Sequence, residues 1–183
     1  MTSSHPTSEC SEAYIALGAN LGQREQTLAE ALNRLHRHSD IEVVRCSGVY
    51  ETDPVGYLDQ PQFLNMAALL RTRLTPEELL QEMLRIEASL GRVRDIPNGP
   101  RTVDLDLLWV EGEIRHTADL TLPHPRMLER AFVLVPLHDI LPIEGASEYG
   151  DTVREAIAHV QEKEGVRLWT SSVWDGASGP SAS

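Results

Sequence analysis

Lysine is almost missing from this 183-residue chain: Lys163 stands alone, so nearly every positive charge is an arginine. Any phosphate or carboxylate contact therefore falls to guanidinium groups, which can grip two oxygens at once. Basic charge is scarce altogether, with 16 Lys and Arg against 28 Asp and Glu and a formal net charge of -12. That argues against a nucleic-acid surface, which needs a basic footprint, and favours a small molecule as partner. The two cysteines, Cys10 and Cys46, are isolated and lack metal spacing, so neither a disulfide framework nor a thiolate metal cluster is expected. Phenylalanine occurs only twice, at Phe63 and Phe132. No run approaches the length of a membrane span, and Met1 to Pro6 lacks a basic segment followed by an apolar one. The expectation is a cytoplasmic monomer with no membrane partner.

What is present is organised as one domain. Residues 1–12 read as a disordered extension, 13–146 as the domain, 147–169 as an additional helix packed on it, and 170–183 as a disordered tail. Within the domain, a strand over Ala13 to Leu17 leads through Gly18-Ala-Asn20 into a helix from Gln23 to Arg37, striped by Leu28, Ala31, Leu32 and Leu35. A second strand covers Ile41 to Tyr50, a Pro- and Asp-rich loop covers Glu51 to Pro61, and a third strand runs from Phe63 to Arg71 with Asn65 as its polar exception. Thr75, Pro76 and Glu78 spell an N-cap, a first-turn proline and a capping box; Leu79, Met83, Ile86 and Leu90 form the stripe, and Gly91 ends the helix. A fourth strand spans Thr102 to Val110 and turns at Glu111-Gly112 into a weaker one over Ile114 to Leu122. Short helices are expected over Met127 to Leu134 and from Asp151 to Glu164. The order strand, helix, strand, strand, helix, strand predicts an α+β, ferredoxin-like antiparallel sheet with helices on one face. That fold hosts many functions and leaves the chemistry open.

The chemistry is suggested by the fourth strand. Val103, Leu105 and Leu107 alternate with Asp104 and Asp106, so the two carboxylates share one face about 7 Å apart. Like charges so placed need something positive between them, such as Arg101 or divalent cations. Alone, an acidic pair reads as a solvated edge, loop arginines as solvated charges, and His124 between two prolines as a turn residue. Together, acids beside the arginines 92, 94 and 101 in an acidic protein suit a metal-bound triphosphate. On the third strand Phe63 and Asn65 face one way, an apolar surface beside an amide able to donate and accept, which suits a flat polar heterocycle.

Several stretches also carry a family resemblance: Ala13-Tyr-Ile-Ala-Leu-Gly-Ala-Asn20, Val49-Tyr-Glu-Thr52, Phe63-Leu-Asn65, Arg85-Ile-Glu87, Gly91-Arg-Val-Arg94, Gly99-Pro-Arg-Thr-Val-Asp-Leu-Asp106, Pro123-His124 and Arg130-Ala-Phe132. In this order they resemble the 6-hydroxymethyl-7,8-dihydropterin pyrophosphokinases of folate synthesis, over Ala13 to Pro142. The resemblance implies transfer of pyrophosphate from ATP to the pterin hydroxymethyl group, with release of AMP. It implies that Asp104 and Asp106 bind two magnesium ions bridging the triphosphate. Arg92, Arg94, Arg101, His124 and Arg130 would hold phosphate oxygens, with Arg92 and Arg94 joining the two acids in catalysis, and Glu87 and Thr121 would help seat the nucleotide. The pterin would stack between Phe63 and Phe132, read by Asn65 and by the backbone around Thr52, Pro54 and Val55. The strands of Asn65 and Asp104 should then meet side on, or by way of the first strand, in one cleft.

The chain departs from some members of that family between Arg94 and Gly99, where Asp95-Ile-Pro-Asn98 replaces a longer stretch with another basic residue and a Trp. Two other readings differ in product. A non-catalytic ferredoxin-like nucleotide-binding module would bind ATP without forming AMP, and a metal-dependent nucleotidyltransferase of palm-like fold would release pyrophosphate.

Overall fold

Strands β1 (Ser11–Ala19) and β4 (Phe63–Thr72) form the centre of the sheet and pair antiparallel from Ser11↔Thr72 to Ala19↔Leu64. Neither alternates cleanly: Met66-Ala-Ala-Leu-Leu70 is buried at every position, the mark of a strand covered on both faces. The computed structural model describes residues 9–54, 58–91, 102–143, 145–160 and 165–174. Around the central pair the strand order is β5 (Asp104–Val110), β1, β4, β3 (Val49–Thr52), β8 (Val166–Thr170), and β2 (Ile41–Cys46) also pairs with β4. Every pairing is antiparallel. With α1 (Arg24–Arg37) after β1 and α2 (Pro76–Ser89) after β4, this is the expected ferredoxin-like βαββαβ arrangement.

The capping box forms as spelled: the Glu78 N–H donates to Thr75 Oγ1 at 3.1 Å and the Thr75 N–H to Glu78 Oε1 at 3.0 Å. Gly91 takes φ 85 just past the helix, a conformation an L side chain resists. On this face of the sheet, Leu28, Leu32, Leu79 and Met83 meet Ile15, Leu17, Met66 and Leu105 in one core.

The opposite face is covered too, which corrects the expectation of helices on one side only. There α3 (Ala131–Ile140) and α4 (Gly150–His159) bury Leu134, Leu137 and Val153 against Tyr14, Ala67, Leu108 and Trp109, and the Tyr14 and Trp109 rings stack at 3.9 Å. The apolar residues of Ala131 to Ile140 lie almost all round the helix, so periodicity predicted it badly; it starts at Ala131 and not at Met127, with Arg130 as its N-cap.

Other expectations need correction. The second strand is two, split at Ser47-Gly48, where the Ser47 hydroxyl accepts from the Ala67 N–H at 2.8 Å; β3 then runs on to Thr52, inside the expected loop. Ile114 to Leu122 is not one strand but the small ribbon of β6 (Arg115–His116) and β7 (Thr121–Leu122). The last helix ends at His159, and β8 follows unforeseen, its Leu168 and Trp169 exposed as on an edge strand. Val173 and Trp174, placed in a structureless tail, pack against the first core. No helix among the described residues is long and apolar enough to cross a membrane.

Candidate active site

Because β1 lies between β4 and β5, its register decides which side chains meet. Gly18 is opposite Asn65 on one side and Asp104 on the other, and Ala16 is opposite Ala67 and Asp106. Leu105 and Leu107 point into the first core, which turns Asp104 and Asp106 to the other face. Leu64 and Met66 do the same for Asn65. Acids and amide therefore share one face, with the small residues Ala16 and Gly18 as the floor between them. The N-terminal end of α3 supplies a wall.

The resulting pocket holds about 220 Å³ and is lined by Thr52, Asp53, Phe63, Asn65, Phe132, Val133, Arg126, Arg130 and the two aspartates, over Ala16, Leu17 and Gly18. Asn65 Nδ2 donates to the buried Thr52 hydroxyl at 2.6 Å, which orients the amide. Its Oδ1 crosses Gly18 so closely that a β-carbon there would sit 2.6 Å from it. Asn20, 2% exposed, donates to Gln60 Oε1 at 2.9 Å and to the Pro61 carbonyl at 3.0 Å, tying the loop before β4 to the end of β1.

On the other side of the aspartates runs an open groove of about 650 Å³ between α2 and the segment 118–126, lined by Leu80, Leu84, Glu87, Thr121, His124, Arg126 and Arg130 among others. Glu87 is 2% exposed, and its Oε2 accepts the Leu105 N–H at 2.7 Å, so it steadies β5 between the two acids. The His124 N–H donates to the Leu108 carbonyl at 2.7 Å, and the ring Nδ1 accepts the Arg126 N–H at 3.2 Å. In the neutral ring the proton thus sits on Nε2. Burial, helped by Arg130 and Arg126 and opposed by Asp104, holds the His124 pKa below its ordinary 6.5.

Of the residues singled out from sequence, Thr52, Phe63, Asn65, Phe132, Asp104, Asp106 and Arg130 come together in the pocket, and Glu87, Thr121, His124 and Arg130 in the groove. Pro54 does not line either. Arg92, Arg94, Arg101, Val55 and the Asp95–Asn98 loop lie outside the described residues. Sequence reading missed Gly18 as a floor, Asp53 on the pocket wall and Arg126. The first two depend on which strand neighbours which; Arg126, four residues before Arg130 in Pro123-His-Pro-Arg126, was visible but unmarked by any local pattern.

The chain is 48% identical over 157 residues to the 2-amino-4-hydroxy-6-hydroxymethyldihydropteridine pyrophosphokinase of Bacillus subtilis, which covers 86% of this chain and 89% of that protein. It is 47% identical over 148 residues to the enzyme of that name from Methylorubrum extorquens, covering 80% and 91% respectively. The fold is similar to that of a Plasmodium falciparum HPPK-DHPS crystal structure with pterin and p-hydrobenzoate, at a TM-score of 0.62 and 13% identity; the match covers 89% of this chain and 48% of that one. The model of the 7,8-dihydro-6-hydroxymethylpterin-pyrophosphokinase family matches residues 14–142, and the chain belongs to that family.

Proposed function

We propose that the protein transfers the β,γ-pyrophosphoryl group of ATP to the hydroxymethyl oxygen of 6-hydroxymethyl-7,8-dihydropterin, releasing AMP, as a step of folate biosynthesis. The observation that carries this reading is that a pocket and a more open groove meet at Asp104 and Asp106. A reaction that moves a charged group between two substrates needs two compartments with charge control at their junction.

The pocket suits the pterin: Phe63 and Phe132 offer apolar surface for its faces, and Asn65, held by Thr52, offers donor and acceptor groups for its edge. The groove suits ATP, with Glu87 and Thr121 beside the nucleoside and His124 and Arg130 towards the phosphates. Arg92, Arg94 and Arg101 are assigned to the phosphates by sequence resemblance. Asp104 and Asp106 would hold the magnesium, two ions in this reading. Among the described residues no group of three or more His, Cys, Asp and Glu side chains gathers as a metal cage. Two carboxylates with the rest of the shell left to phosphate oxygens and water is how magnesium is commonly held with a nucleotide. Metal held there would neutralise phosphate charge and lower the acceptor hydroxyl's pKa.

The chain's own contribution is position and charge. The floor of β1 and the hydrogen-bonded amide of Asn65 set the depth and angle of the acceptor, and His124 presents an Nε2–H to the donor. The remaining pocket carboxylate, Asp53, accepts from Gln62 Nε2 at 2.8 Å and pairs with Arg167 at 3.4 Å. Both contacts fall on Oδ1, and catalysis is assigned to arginines and metal in place of a general base. Incubating the protein with ATP, magnesium and the hydroxymethyl-dihydropterin and separating the nucleotides tests the reading: AMP with the pterin diphosphate is expected. ADP, free pyrophosphate or unchanged ATP as the outcome would overturn it.

A further inference from the structure

Four residues line both the pterin pocket and the nucleotide groove: Asp104, Asp106, Arg130 and Arg126. The first three already have roles at the junction. Arg126 has none. Its backbone is fixed, the N–H donating to His124 Nδ1 at 3.2 Å and the carbonyl accepting from the Glu129 N–H at 3.1 Å. The next residue, Met127, is 2% exposed in the second core and anchors the turn. The guanidinium, by contrast, is exposed and makes no ion pair or side-chain hydrogen bond among the described residues. In a chain with 28 acids to 16 bases, an arginine held in place at a junction without a carboxylate partner is available to an anion.

We propose that Arg126 is a further phosphate-holding residue, which grips the diphosphoryl group as it crosses from groove to pocket and holds it on the product. In that crossing the bond from the β-phosphorus to the AMP oxygen breaks, a bond from the same phosphorus to the hydroxymethyl oxygen forms, and the hydroxyl proton passes to water. A group reaching both compartments can follow the phosphorus through the step, and a planar fork can hold two of its oxygens at once. This inference rests on the reaction proposed above and names a residue that reading does not use.

The test uses the full chain with Arg126→Ala and Arg126→Lys. Measured are kcat, the KM for each substrate, and calorimetric binding of the pterin alone and of the dihydropterin diphosphate product. The side chain is exposed, so the thermal midpoint should not move. For Arg126→Ala, kcat and product affinity are each expected to fall about 10- to 100-fold, the worth of a charge-assisted contact, with affinity for the pterin alone within about twofold. Arg126→Lys should recover part of the loss, since charge returns without the fork. Unchanged kcat and product affinity in Arg126→Ala, or a loss confined to the pterin KM, would overturn the inference. An inactive parent chain would sink the proposed reaction itself; an active parent with an indifferent Arg126→Ala variant sinks this inference alone.

Discussion

At the scale of single residues, the strongest constraints lie where backbones and polar groups come closest. Gly18 is one: a methyl group there would collide with Asn65 Oδ1 at 2.6 Å, so Gly18→Ala must displace the amide proposed above to read the pterin. We expect about 1–3 kcal/mol of lost stability, as in overpacked sites, and a tenfold or greater fall in pterin affinity, about the worth of that contact. Calorimetry on the variant checks both, and unchanged pterin affinity would free Asn65 of its assigned role. Asp106→Asn should lower turnover on the order of 100-fold or more with pterin binding retained, because charge neutralisation at the junction is lost and the pocket is not. Undiminished AMP formation at saturating magnesium would end the metal assignment. His124 carries a pH signature. Its folded pKa lies below the unfolded 6.5, so the unfolded chain binds the extra proton. Its share of stability is full above that value and drains away as pH falls through the folded pKa. Urea midpoints measured between about pH 5 and pH 7 should therefore rise with pH, and less steeply in His124→Gln.

At the scale of elements, local signals decided α2 and little else so completely. Thr75, Pro76, Glu78 and Gly91 act through bonds within one turn, which is why they could be recognised without knowing the fold. Thr75→Ala should cost about 1 kcal/mol in urea denaturation and leave turnover alone, the cap being remote from the pocket. The C-terminal strand β8 is the opposite case. Val166 to Thr170 is too short for its Val, Trp and Thr to mark it off from loop, and it pairs as a strand along the open edge of β3. In doing so it reaches the site: the Asp53 N–H donates to the Gly165 carbonyl at 3.1 Å, and Arg167 pairs with Glu51 and Asp53. Removing residues 165–183 should lower the thermal midpoint by several degrees and raise the KM for the pterin more than that for ATP. Equal effects on both KM values would show that β8 supports the sheet alone.

At the scale of the molecule, one sheet carries two apolar cores, and the site opens on the side of α3. The cores share β1, β4 and β5, so neither can melt while the other stays intact. Leu79→Ala in the first core and Leu134→Ala in the second are each expected to cost about 2–5 kcal/mol and to shift a single common transition. Followed by near-ultraviolet signal from the buried Trp109 and by far-ultraviolet signal, two separated transitions would contradict that coupling. Leu134→Ala should also weaken pterin binding, because α3 brings Phe132 and Arg130 to the pocket. The succession strand, helix, strand, strand, helix, strand was legible along the chain, although its second strand proved to be two, β2 and β3. The second layer was not, since α3 is apolar nearly all round and its stripe does not stand out.

By itself the sequence determined the alternation of Asp104 and Asp106 with buried leucines, the shared face of Phe63 and Asn65, the capped second helix, and, through its motifs, the family. These are properties of short stretches, set by the periods of strand and helix and by hydrogen bonds within a turn. Tertiary structure alone decided that β1 would stand between the two strands, with Gly18 and Ala16 as floor, and that Arg126 would face both compartments. It also decided that the tail would close an edge of the sheet. Register and neighbour choice depend on burying surface across tens of residues, a sum that no local pattern contains.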